Sequence, residues 1–235
     1  MKTFFAIVGI LFAVQNVQAA DAFDFKSLGF SKDGRYYAFV ESVIQGGSGY
    51  PAARAMVVDV EKNLAVEYDF TVIEEENGPL DEAVRQALGN VHLSKYGIDG
   101  KQNGTTLWVR LPTDLDQPNL KPLFSTAYGV DGGASGVWPK YRLHVSESPK
   151  NPKACLGNGA SLLTVRLANL EKSAKLKLLQ KDQSLPESRA CALNYQPRQI
   201  IMNGDAIVVV VRFESFGFEG PDYQHMVVTA KNVFN

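Results

Sequence analysis

The chain is poor in the residue types that usually reveal chemistry. It has two cysteines and three histidines in 235 residues. His92, His144 and His225 are scattered singly, so there is no His-Glu-x-x-His metal helix. Neither Cys155 nor Cys191 sits in a Cys-x-x-Cys pair, and no His lies beside either, which argues against a redox couple or a zinc site. A nucleophile elbow, Gly-x-Ser-x-Gly, is missing: Gly46-Gly47-Ser48-Gly49-Tyr50 lacks the last glycine. An excess of either charge is lacking too. Lys plus Arg number 24 against 25 for Asp plus Glu, and no basic stripe is interleaved with aromatics, so nucleic acid has no electrostatic footprint here. Past the N-terminus no apolar run reaches the about 20 residues that a spanning helix needs. These absences leave no catalytic residue, cofactor or metal to name. They do not exclude an enzyme, because catalytic triads assemble in space rather than along the chain.

The N-terminus has what a secretory signal peptide requires. Lys2 is the positive start, Phe4–Val14 is an apolar stretch too short to span, and Val17-Gln18-Ala19 is a cleavage context. Residues 1–19 are expected to be removed, with cleavage after Ala19 or alternatively after Ala20. No Cys follows the apolar stretch, so a lipoprotein anchor is not indicated. The remainder, residues 20–235, is expected to be one exported β-rich domain without a membrane span. In an oxidising compartment Cys155 and Cys191 favour a structural disulfide, worth roughly 3–4 kcal/mol on the chain-entropy model.

Strand patterns dominate that remainder. Asp33-Gly34 is a turn dipeptide, and Arg35–Val40 behind it is apolar on both faces. After Gly46, Gly47, Gly49 and Pro51, Met56, Val58 and Val60 alternate with Val57 and Asp59. Leu64, Val66, Tyr68 and Phe70 then alternate with Ala65, Glu67 and Asp69. Three such strands make an antiparallel meander. Further on, Leu107, Val109 and Leu111 oppose Trp108 and Arg110, and Tyr141, Leu143 and Val145 oppose Arg142 and His144. Leu163, Val165 and Leu167, with Leu176 and Leu178, read as a hairpin. Ile207–Val211 is a run of β-branched residues that suits a central strand buried on both faces, flanked by Asp205 and Arg212, and His225–Ala230 is the last strand. Asp182–Tyr195, with Pro186 and then Pro197, reads as an irregular loop.

One helix interrupts the strands. Asn77 or Gly78 can cap it and Pro79 suits its first turn; Leu80, Val84, Ala87, Leu88 and Val91 form one stripe, and Asp81 and Glu82 meet the helix dipole. Other motifs are weak. Glu74-Glu75-Glu76 is a solvated turn. Asn103-Gly104-Thr105 fits a glycosylation acceptor but reads as a hairpin turn. Asp114-Leu115-Asp116 lacks the Gly and the closing Glu of a Ca²⁺ loop, and Gly129–Gly136 lacks the Lys of a phosphate loop.

Two resemblances follow. Phe30-Ser31-Lys32-Asp33-Gly34-Arg35-Tyr36 with its following strands resembles a blade of the TolB-like β-propeller repeats. Such blades recur every ~40–50 residues, and no second good copy is present. More widely, the chain resembles the bacterial predicted secreted protein family DUF2259. That likeness rests on the same turn, on the helix running into Tyr96-Gly97-Ile98, on Asp182-x-x-x-Pro186-x-Ser188-Arg189-x-Cys191 with Tyr195, and on Gly217-Phe218-Glu219-Gly220-Pro221-Asp222. It implies export in Gram-negative bacteria and a Cys155–Cys191 pair; it implies no activity, cofactor or catalytic residue.

The expectation is therefore a mainly β chain of antiparallel meanders, propeller-blade-like or sandwich, with one inserted amphipathic helix. It is expected to be periplasmic or secreted, binding an unknown envelope protein or a small ligand without catalysis. An envelope hydrolase with a spatially assembled site is the rival. Arg35–Tyr50 and Gly217–Tyr223 are the stretches where a pocket or apolar patch would support the binding reading.

Overall fold

The computed structural model describes residues 20–111, 114, 120–126, 140–155, 157, 159–171, 176–217 and 220–234. The fold is mainly β, with three antiparallel four-stranded sheets and one α-helix. Sheet one is a meander of β1 (Asp24–Phe30), β2 (Tyr36–Ile44), β3 (Pro51–Asp59) and β4 (Leu64–Val72). Helix α1 (Leu80–Asn90) follows. Sheet two holds β5 (Thr105–Val109), β10 (Leu193–Asn203), β11 (Ala206–Phe216) and β12 (Pro221–Lys231), in the order β12-β11-β10-β5. Sheet three is the meander β6 (Leu123–Phe124), β7 (Tyr141–Lys150), β8 (Ala160–Asn169) and β9 (Leu176–Lys181).

The β-branched run decides the packing. In β11, Ile207, Val209, Val211 and Phe213 face sheet three, in a core with Leu143, Leu163, Val165 and Leu167. Ala206, Val208 and Val210 face sheet one, in a core with Phe30, Tyr37, Phe39 and Val58. A side-chain period of two therefore serves two cores from one strand, and sheet two is the middle layer. On the far side of sheet one, α1 lays Ala83, Ala87 and Val91 on Val40, Ala53 and Ala55.

The Ser31–Tyr36 turn is held by its own side chains. Ser31 Oγ donates to Asp33 Oδ1 (2.6 Å), and the Arg35 and Tyr36 N–H groups donate to Asp33 Oδ1 (3.0 Å) and Ser31 Oγ (2.9 Å). These bonds, the Ser31 one first, hold the Asp33 carboxyl below its usual range. Gly34 takes the left-handed φ of 67° that the turn needs.

Several sequence expectations are corrected. The N-cap of α1 is Pro79 itself, with no side-chain cap, rather than Asn77 or Gly78; Ala83 joins the buried stripe. In β5 the inward residues include Trp108, while Val109 and Leu111 are about half exposed, because a register shift between Ile200 and Ile201 reverses the alternation. Leu176 and Leu178 face outward, opposite Ala168 and Arg166, and it is Leu179 that packs inward. Leu64, Val66, Tyr68 and Phe70 do form a strand, but a peripheral one, and all four are exposed. Finally, β1 and β10 are strands that the pattern hides. β10 contains Pro197, and its ladder with β11 shifts register on both sides of the Gln196–Pro197 pair, where a missing N–H is tolerated.

Candidate functional site

Chemistry-bearing residues gather where the chain enters β10. Cys155 and Cys191 form a disulfide with Cα atoms 5.5 Å apart, tying this entry to the Lys153–Cys155 turn. Two residues before Cys191, Arg189 closes a short 3-10 turn, Glu187–Arg189. Its guanidinium donates to both carboxylate oxygens of Asp182, at 2.7 and 2.6 Å, and to the Tyr195 hydroxyl at 2.7 Å. Asp182 also accepts the Leu163 N–H (2.9 Å) and Gln180 Nε2 (2.7 Å). Asp182, Arg189 and Tyr195 are all buried.

Burial by itself raises the Asp182 carboxyl. The Arg189, Leu163 and Gln180 hydrogen bonds and the Arg189 charge outweigh it and leave the group below its usual range. Burial dominates at Tyr195 and pushes its hydroxyl up, against the Arg189 charge and hydrogen bond. The Asp182, Arg189, Cys191 and Tyr195 spacing singled out in the sequence is thus a buried clip that stiffens an otherwise irregular segment.

Immediately after it, Asn194 adopts a left-handed φ of 54° at a register shift between β10 and β11. Asn is among the few non-glycine residues that accept this conformation. Its side chain donates to Glu214 Oε2 (2.7 Å), and the Asn194 and Tyr195 N–H groups donate to Glu147 Oε2 (3.1 Å) and Oε1 (2.8 Å). Asn194 therefore links the two carboxylates across the end of sheets two and three.

A cavity lies on each side of it. The first, of about 370 Å³, is lined by Cys191, Leu193, Glu214, Phe216, Gly217 and Pro221, among others. It has an apolar wall and one acid. Phe216 stands exposed beside it. Gly217 is required there, since a Cβ would fall 2.4 Å from both Asp222 Oδ1 and the Gly220 carbonyl oxygen. Of the Gly217–Asp222 stretch, Phe218 and Glu219 lie outside the described residues. The second cavity, of about 350 Å³, is more polar, with Lys121, Ser146, Glu147, Tyr195 and Gln196 in its lining. Pockets of this size suit small ligands or a protruding side chain.

A second buried cluster joins sheets one and two. Glu41 on β2 and Arg54 on β3 are directly opposite in the ladder and form an ion pair. Glu41 Oε2 accepts the His225 N–H at 2.9 Å and lies 3.1 Å from His225 Nδ1, while Arg54 donates to the His225 carbonyl (3.0 Å) and Gln224 Oε1 (3.1 Å). Sequence reasoning missed this cluster. Glu41 and Arg54 lie just outside the runs whose pattern reads as strand, and nothing in the chain pairs them with a residue 184 positions from Glu41.

The other histidines differ. His92 lies at the surface, with its ring Nδ1 3.3 Å from Glu67 Oε1. His144 sits among cations: burial first, then the Lys121, Arg142 and Arg166 charges, hold it below its usual value. Of the remaining motifs, Glu74-Glu75-Glu76 is exposed, and Asp114 Oδ2 accepts the Leu111 N–H at 3.1 Å. Asp116, residues 129–136 and residues 1–19 lie outside the described residues. Among the described residues no group of three or more His, Cys, Asp or Glu could hold a metal ion, and no helix is long and apolar enough to cross a membrane.

Fold and site together define a class: a three-layered β protein whose disulfide braces a cleft at one end. The chain belongs to the family described as predicted secreted protein (DUF2259), whose model matches residues 38–231. That span runs from β2 to the last residue of β12 and takes in the disulfide, the clip and both cavities. The protein is accordingly a secreted one. No curated protein matches the chain.

Proposed function

We propose that this protein is a periplasmic or secreted binding module with no chemistry of its own. Residues 1–19 direct export, and residues 20–235 form one unit. The cavity between Leu193 and Phe216 receives an apolar group, either of a small ligand or of a side chain on an envelope partner. The observation that carries this reading is the cavity's wall. The disulfide and the Asp182–Arg189 clip hold it rigid, and a preformed surface loses less ordering entropy on binding. Leu193 and Pro221 offer apolar area, and Glu214 beside them gives an anchor for a donor.

The test is crosslinking and pull-down of the tagged protein from intact cells, beside a thermal-shift screen of small ligands. A stoichiometric partner or a stabilising ligand, lost in Leu193→Trp, is expected. Full retention in that variant, with its fold intact, refutes the cavity as the site.

A hydrolase is the second reading, and the carboxylate–imidazole contact of Glu41 with His225 is what favours it. Against it, Glu41 is already engaged by Arg54, and neither cavity is lined by either residue or by His225. Turnover of ester or amide substrates that vanishes in His225→Gln, a variant shown to fold, would establish it over the binding reading.

A further inference from the structure

The two outer layers of the stack are finished differently. Sheet one has α1 on its outer face, whereas among the described residues no element covers the outer face of sheet three. Register and alternation assign that face to the even-numbered positions of β7 and β8 and to residues 176, 178 and 181 of β9. Its charged members are Arg142, Lys150, Arg166 and Lys181, with His144 opposite Arg166. No Asp or Glu occupies any of these positions.

Lys121 adds a further cation close to His144. None of these cations takes part in an ion pair among the described residues. Three leucines share the surface: Leu176 and Leu178 are about half exposed, and Leu123, paired with Arg142, is 43 % exposed. The whole chain carries a net charge of only −1. The face thus carries unbalanced positive charge although the whole chain, with 24 Lys and Arg against 25 Asp and Glu, is nearly neutral.

We propose that this face is a membrane-contact surface that adsorbs to anionic phospholipid headgroups. Charge complementarity selects the occupant. A second copy docking by the same face would set like charges opposite each other. The cations lie on adjacent strands about 4.8 Å apart, and Arg142 and Lys150 are separated by roughly 25 Å along β7. Such a broad array of separated cations matches a layer of anionic headgroups. The leucines between them supply the apolar contact that interfacial binding adds to electrostatic attraction. The face borders the second cavity, which Lys121 and Ser146 also line, and shares no residue with the cavity between Leu193 and Phe216.

The test is co-sedimentation of the purified, disulfide-bonded protein with phosphatidylcholine vesicles, with and without phosphatidylglycerol. Binding is expected only with phosphatidylglycerol and is released by salt, which screens exposed charges. Arg142→Glu with Arg166→Glu lowers the affinity about tenfold or more. Lys121→Glu with Lys181→Glu, at the margins of the face, does likewise and covers the case in which the first pair fails to fold. Lys62→Glu with Lys101→Glu, on other surfaces, has no such effect. Equal partition onto both vesicle types, no binding at low salt, or full binding by a folded charge-reversed variant overturns the proposal. Capture by soluble polyglutamate without vesicle binding also overturns it and assigns the face to an acidic protein.

Discussion

Glu41–Arg54 and Asp182–Arg189 are both carboxylate–guanidinium pairs at buried positions, yet they are built over different distances. Asp182 and Arg189 are seven residues apart, and they fold a local segment onto itself beside a disulfide. Glu41 and Arg54 meet across neighbouring strands, then reach His225 on a strand of another sheet. The local pair keeps its geometry through chain connectivity and the Cys155–Cys191 bridge. The long-range cluster is held by the β2–β3 ladder on one side and by the stacking of two layers on the other, with no covalent brace. In both, every bond satisfies a group that would otherwise be buried unpaired, which is why removing one partner costs far more than the pair itself contributes.

The largest loss of stability is expected in the long-range cluster. Glu41→Ala leaves the Arg54 guanidinium and the His225 N–H buried without their acceptor, and it should destabilise by roughly 3–5 kcal/mol. Chemical denaturation followed by tryptophan fluorescence measures this. Next comes Cys155→Ser with Cys191→Ser. The two cysteines are 36 residues apart, and opening that loop should cost roughly 3–4 kcal/mol on the chain-entropy model. Hydrogen exchange separates the two variants: protection falls across sheets one and two for Glu41→Ala, and first around Asp182–Tyr195 for the cysteine pair. Equal patterns would dissolve the distinction.

Arg189→Lys keeps the charge but loses the bidentate fork and the bond to Tyr195. A smaller loss, about 1–3 kcal/mol, is expected from the same denaturation curves. The smallest effect is in pH. The Asp182 carboxyl is lower in the folded protein than its ordinary 3.8. Its contribution is therefore complete above that value and is lost as pH falls below it through the folded value. The stability difference between the wild type and Asp182→Asn should shrink over that acidic range, as followed by thermal melts. A difference that does not change with pH would mean that the carboxylate charge carries no part of the clip's stability.

How much of this was legible depends on local chemistry. Ser31-Lys32-Asp33-Gly34 builds its turn from its own hydroxyl, carboxylate and flexible glycine, so the turn reads directly. β11 reads directly because Ile207–Val211 leaves no polar face. β10 does not, because Asn194 and Pro197 resemble loop chemistry until β11 pairs around them at register shifts. Of the two stretches expected to frame a pocket, Gly217–Tyr223 meets the cleft, whereas Arg35–Tyr50 lines neither cavity; the other wall, Asp182–Tyr195, read only as an irregular loop. What brings the two walls together is the side-by-side placement of β10 and β11.

Alternation settles which residues of a strand share a face, because successive side chains point to opposite sides. It does not settle whether that face is covered. Leu163 and Leu178 follow the same pattern on neighbouring strands, and one is buried while the other is about half exposed. Strands with clean periodicity, the amphipathic helix and the Ser31–Tyr36 turn are readable from the chain alone, since each depends on interactions within a few residues. The middle position of sheet two, the meeting of His225 with Glu41, and the cationic face of sheet three, which no element covers among the described residues, come from tertiary packing. Those follow from which layers stack, a choice made by the fit of whole surfaces rather than by any short stretch of chain.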